Sequence, residues 1–136
     1  MAKSNQYTIV SELSQVKLIA GYFRDFCKQQ KIPENSVNLL ELALVEAVNN
    51  IIIHAYDEKP GFQIFAEFTW LNSKIHIELT DSGKPFTKIE PDNKTHNSID
   101  SLPEGKWGID LIESIVDSVT RTRTNGNNQL ILHKKI

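Results

Sequence analysis

Glu46, Asn50 and His54 stand four residues apart within the apolar run from Glu41 to Tyr56. On a helix of about 3.6 residues per turn that spacing drifts slowly around the axis and makes one polar seam. Leu40, Leu44, Val48, Ile51 and Ala55 then fall on the opposite side. A carboxylate, an amide and an imidazole in a row on a helix otherwise suited to burial need partners, because unpaired polar groups are costly in an apolar setting. A carboxylate can serve as a general base. An amide oxygen can ligate a hard cation such as Mg²⁺, with phosphate and water completing the coordination. The plainer roles are a buried ion pair for Glu46 and a capping or core hydrogen bond for Asn50. His54 is read as a structural hydrogen-bonding residue and left out of the catalytic set.

Two other stretches have residue types that suit a ligand. Asp81-Ser82-Gly83-Lys84-Pro85-Phe86 follows directly on a strand pattern. An aspartate there can present its carboxylate to a pocket, and the glycine allows a flat ligand to approach the backbone closely. The same residues are also ordinary turn chemistry. Gly105-Lys106-Trp107-Gly108 leads into a helical pattern, where free N–H groups at the positive helix end can hold phosphate. Glycines at helix starts are equally common as plain loop residues.

The elements that must position these residues follow from periodicity. Tyr7-Thr8-Ile9-Val10 reads as a first strand. Leu13, Val16, Ile19, Ala20, Phe23, Phe26 and Cys27 recur at helical spacing. Pro33 and Glu34 restart the chain as the long helix of the polar seam, with proline tolerated in the first turn and acid favourable at the positive dipole end. Phe62, Ile64, Ala66, Phe68 and Trp70, and after Leu71-Asn72-Ser73 the residues Ile75, Ile77 and Leu79, alternate as an antiparallel hairpin with one buried face. The segment from Ser82 to Glu104, marked by Pro85, Pro91 and Pro103, is too long for an ordinary connection and reads as a lid or as a disordered segment. Ile109, Leu111, Ile112, Ile115 and Val116 have helical spacing up to Asp117-Ser118, and Asn125-Gly126 signals a turn between two final strands, Ser118 to Thr124 and Gln129 to Ile136. This order implies a two-layer α+β sandwich, a mixed sheet with helices on one face.

Length and composition set limits on the rest. A chain of 136 residues reads as one domain spanning 1–136, able to bury its own core. Lys plus Arg number 15 and Asp plus Glu 17, so a formal charge of −2 argues against general attraction to nucleic acid or anionic membrane. The single Cys27 is expected in the core, which suits a reducing compartment. The polar start and the lack of an uninterrupted apolar run of bilayer length point to the cytoplasm.

In order and spacing these motifs resemble the Bergerat-fold (GHKL, histidine-kinase-like) ATPases, and within them the anti-sigma-factor serine/threonine protein kinases, over nearly the whole chain. Glu46-Ala47-Val48-Asn49-Asn50 with His54-Ala55-Tyr56 matches the family's first box, and Asp81-Ser82-Gly83-Lys84-Pro85-Phe86 its second. Gly105 and Gly108 match a third, with Lys106 where a glycine is usual and Trp107 where a small aliphatic residue is common. The resemblance implies ATP and Mg²⁺ as cofactors. It implies Asn50 as the Mg²⁺ ligand, Asp81 as acceptor of the adenine amino group with Gly83 beneath the base, and Glu46 as general base toward a serine hydroxyl. Pro85, Phe86, Gly105, Lys106 and Gly108 complete the implied nucleotide site, beneath a lid of about 87–104. The implied activity is that of a kinase which sequesters a sigma factor and phosphorylates a serine of a STAS-domain antagonist. A homodimer is the implied assembly. Lys106 leaves open a second reading, a non-catalytic sequestering module with a degenerate nucleotide site.

Overall fold

The computed structural model describes residues 2–85 and 104–136, with backbone only for 104–109. Strand β1 (Lys3–Val10) leads into helices α1 (Leu13–Gln29) and α2 (Glu34–Asn50), and one π-helical turn, Ile51–Ala55, extends α2. The hairpin β2 (Gln63–Leu71) and β3 (Lys74–Asp81) comes next. Helix α3 (Glu104–Ile115) and the hairpin β4 (Ser118–Thr124) and β5 (Asn127–Lys135) end the chain. β1 begins four residues earlier than its apolar pattern, at Lys3 rather than Tyr7, because its polar half is held at the sheet edge: Ser4 and Gln6 both donate to Glu67 of β2, at 2.7 and 3.3 Å.

The five strands form one sheet in the order β1-β2-β3-β5-β4. Every pairing in it is antiparallel, so the mixed sheet expected from sequence is not the observed one. The physical reason lies in the last hairpin. A strand–helix–strand crossover brings β4 back parallel to β3, but β5 folds into the gap between them and pairs antiparallel with both. α3 also begins earlier than its apolar spacing indicates, so Gly105, Lys106, Trp107 and Gly108 lie in its first turns rather than in a loop before it.

Inward residues of the sheet alternate as a half-buried sheet requires, with Ile64, Ala66 and Phe68 on β2 and Ile75, Ile77 and Leu79 on β3 all buried. The helices cover this one face. Phe68 lies at the centre, its ring edge-on to Phe23 at 5.0 Å, 5.9 Å from Phe26 and 5.5 Å from Tyr7. Leu40, Leu44 and Val48 of α2 and Ile112 of α3 complete the core, and α2 packs between α1 and α3. Cys27 is fully buried as expected, and burial pushes its thiol up to about 12. The continuous helix Glu34–Ala55 is, by length and composition, long and apolar enough to cross a membrane, which the sequence reading missed by seeking an uninterrupted apolar run. Its Val37, Leu40, Ala43, Leu44, Ala47 and Val48 are instead consumed by the protein's own core.

Candidate functional site

Glu46 and Asn50 lie on the half-buried flank of α2, with Asn50 its last residue, and His54 lies exposed in the π-helical turn. The apolar opposite side is buried as the spacing predicted: Leu40, Leu44, Val48 and Ile51 all sit in the core. The side chains of Glu46 and Asn50 make no hydrogen bond or ion pair to any described residue. The π-helical turn begins immediately after Asn50, so the change of helical pitch falls at the polar seam itself. Such wide turns are uncommon and concentrate at functional positions.

The end of that turn is bound to the loop after β3. The Ala55 carbonyl accepts from the Lys84 N–H at 2.9 Å. The Tyr56 hydroxyl donates to the Gln63 carbonyl at 2.7 Å and accepts from the Ser82 N–H at 2.8 Å. Lys84 Nζ pairs with Asp57 Oδ1 at 2.7 Å. Gly83 is required by this contact: a Cβ there would lie 2.4 Å from the Ala55 oxygen. The space that its missing side chain leaves is thus filled by the neighbouring backbone, a different reason for glycine than the ligand approach considered from sequence.

Asp81, the last residue of β3, is only 4% exposed. Its Oδ1 accepts from the Gly83 N–H at 2.9 Å and from Asn128 Nδ2 at 2.8 Å. Its Oδ2 accepts nothing from the described residues. Burial raises the carboxyl above its ordinary range, against the opposing effects of the Asn128 and Gly83 hydrogen bonds and the Arg123 charge. Buried polar atoms in native proteins are paired almost without exception, so a buried carboxylate oxygen with no partner among the described residues is a candidate place for a donor from a ligand.

Asn128, Arg123 and Tyr56 are the residues that sequence reasoning left without a role. Asn128 shares the inward parity of Leu130 and Leu132 and stands opposite Asp81 in the β3–β5 register, so a polar residue on the core face of a strand was the available signal. Pro85 is exposed beside this loop, whereas Phe86 and the expected lid over 87–103 lie outside the described residues. Gly105, Lys106 and Gly108 are placed by backbone only, at the start of a helix that packs on α2. The first two motifs therefore meet at one end of the sheet, and the third belongs to the helix alongside them.

The site thus joins a buried aspartate at a strand end of a two-layer α/β sandwich to the end of a helix that carries a glutamate and an asparagine. Residues 9–134 match the histidine kinase-like ATPase domain, and the chain belongs to that family. Within it the likeness is to the serine-protein kinases RsbW of Staphylococcus aureus. The protein of strain RF122 is 41% identical over 93 residues, which is 63% of this chain and 58% of that protein. The protein of strain MSSA476 is 40% identical over the same shares. The matched stretch thus spans little more than half the length of these relatives. The crystal structure of the RsbU and RsbW domains of Rv1364c from Mycobacterium tuberculosis covers 98% of this chain and 32% of its own, with a TM-score of 0.67 at 14% identity. That likeness is one of fold.

Proposed function

We propose that this chain is an ATP-dependent protein serine kinase that acts as an anti-sigma factor in the cytoplasm, holding a sigma factor and phosphorylating a serine of a STAS-domain antagonist. The observation that carries the nucleotide part is Asp81, buried, with one carboxylate oxygen saturated and the other without a described partner. An exocyclic amino group is a donor of the right kind for that oxygen, and adenine carries one. The donor types on the helix suit the remainder of the ligand. Asn50 would offer an amide oxygen to Mg²⁺, and Glu46, one turn earlier, would orient and deprotonate the attacking serine hydroxyl. Mg²⁺ supplies charge neutralisation of the phosphates, which with positioning makes up most of the catalysis in phosphoryl transfer. Pro85, Phe86, Gly105, Lys106 and Gly108 are assigned to the surround of the nucleotide and 87–104 to its lid. The kinase and partner assignments are supported by the likeness to RsbW, and the homodimer by the family resemblance.

The test begins with titration calorimetry of the purified chain with Mg²⁺-ATP, where saturable heat is expected. Next, the chain is recovered from its own cells with its bound proteins and supplied with labelled ATP. Phosphate should appear on a serine of a small captured protein. Glu46→Gln should keep ATP binding and slow transfer by roughly 10²–10⁴-fold, the usual range for a general base. Capture without phosphate transfer would leave the sequestering module as the correct reading, and no heat with Mg²⁺-ATP would remove the nucleotide reading altogether.

A further inference from the structure

The β4–β5 hairpin places an arginine and an asparagine in line with Asp81. Arg123 Nη1 donates to Asn128 Oδ1 at 2.7 Å and to the Gly83 carbonyl at 3.1 Å. Asn128 Nδ2 donates to Asp81 Oδ1 at 2.8 Å and to the Lys84 carbonyl at 2.7 Å. The two ends of an amide are chemically distinct, and the network decides which way this one points. Arginine can only donate, so the amide oxygen must face Arg123. The amide NH₂ is thereby turned toward Asp81 and the Lys84 carbonyl, and both of its protons are used. An amide reversed by half a turn would set its NH₂ against the guanidinium and its oxygen against a carboxylate and a carbonyl, with every contact repulsive.

From this arrangement we infer that Arg123 and Asn128 form a base-selecting relay: Arg123 fixes the polarity of the Asn128 amide, and Asn128 keeps Asp81 an acceptor-only carboxylate, so that the site takes a purine with an amino group and refuses one with a keto oxygen. The inference rests on the nucleotide reading of Asp81 given above. An ionised carboxylate has no proton to donate, whereas a neutral one does. Adenine carries an amino donor where guanine carries a keto oxygen, so the protonation state of one buried carboxyl separates the two bases. Burial alone favours the neutral form, and the donors on Oδ1 work against it. Gly83 contributes one of those donors from its backbone N–H. Asn128 contributes the other, and its direction depends on a charge on the neighbouring strand. Arg123 and Asn128 are positioning residues in this scheme, since both act through Asp81 and neither need touch the nucleotide.

The measurement is the affinity of the full chain for Mg²⁺-ATP and for Mg²⁺-GTP, each by titration calorimetry, with the ratio of the two as the readout. In the native chain ATP should be strongly preferred. Asn128→Leu, similar in size but without donors, should weaken ATP by about tenfold or more while GTP changes little, so that the preference narrows by the same factor. Arg123→Ala lies on an exposed strand and leaves the core untouched; it should narrow the preference several-fold, and Arg123→Lys, which retains a donor, should restore part of it. A purely structural role would lower both affinities together and leave the ratio fixed. A ratio unchanged in Arg123→Ala and in any folded Asn128→Leu protein would overturn the relay while leaving the nucleotide reading in place. If Asn128→Leu does not fold, the two Arg123 variants decide alone. Native protein that binds neither nucleotide would overturn both.

Discussion

Gly83→Ala asks whether the loop after β3 and the end of the π-helical turn form one unit. The added Cβ would lie 2.4 Å from the Ala55 oxygen, 2.7 Å from its carbonyl carbon and 2.8 Å from its Cβ. Two of these atoms belong to backbone, so no side chain can swing aside. Restoring ordinary contact requires the segments to part by about 1 Å. That movement breaks the Lys84 N–H bond to the Ala55 carbonyl, 2.9 Å in the native protein. Overpacking of this kind costs roughly 1–3 kcal/mol, and the lost hydrogen bond about 1 kcal/mol more. The expected destabilisation is therefore about 2–4 kcal/mol. It should appear in urea unfolding as a lower midpoint with an unchanged slope, a shift of roughly 1–2 M for a slope near 2 kcal/mol/M. Because Gly83 also donates to Asp81 Oδ1, the thermal shift on adding Mg²⁺-ATP should shrink in the same variant. Gly21→Ala is the control, since a Cβ there meets nothing within 4 Å and the position is mid-helix. It should be neutral or stabilise by roughly 0.5–1 kcal/mol. A Gly83→Ala protein as stable as its Gly21→Ala counterpart would refute the reasoning.

Three further outcomes are expected. Burial raises Asp81 in the folded chain, so the native state holds its proton more tightly than the unfolded state does; stability without nucleotide should fall as pH rises from the ordinary aspartate range through the raised folded value. Asp81→Asn should remove that slope and match or exceed native stability at neutral pH while losing most of the Mg²⁺-ATP shift, and a variant retaining both slope and shift would contradict the assignment. Cys27, with its thiol pushed up to about 12 and its side chain wholly buried, should resist thiol reagents at pH 8 until the protein unfolds; labelling at the rate of a free cysteine would count against this. Phe68→Ala should cost about 3–5 kcal/mol by denaturant titration, since it empties the space between Phe23, Phe26 and Tyr7, and a loss below about 1 kcal/mol would mean the core closes over the gap.

The parts of the fold that could be read from sequence were those with a strong local period. α2 was visible because its apolar residues repeat at helical spacing and are buried where that spacing placed them, from Leu40 to Val48. The last hairpin was visible because Asn125-Gly126 leaves few other backbone choices, and both residues do adopt positive φ, at 53° and 82°. Sheet order was harder, because the position of β5 between β3 and β4 depends on pairing between residues far apart in the chain, which no local period encodes. The π-helical turn was hidden for another reason: Ile51-Ile52-Ile53, three apolar residues in a row, fit either pitch equally well. In the candidate site, Asp81 and Gly83 were singled out by their own short motif. Asn128 and Arg123 were not, because their meaning comes only from standing across the sheet from Asp81.

The π-helical turn gives α2 a one-residue excess that an ordinary helix would not hold. Were Ile51–Ala55 to wind at ordinary α pitch with no residue removed, the chain would still be a regular helix. Everything after the turn would then be out of phase by up to about 100° about the axis, one residue's step. The Ala55 carbonyl would no longer face Lys84, and the Tyr56 hydroxyl would no longer reach Ser82 and Gln63. Such a chain would keep its helices and most of its core, yet the clasp between the two motifs would be gone. At this point in the protein the pitch of one turn, more than the identity of the residues in it, sets where the Ala55 carbonyl and the Tyr56 hydroxyl point.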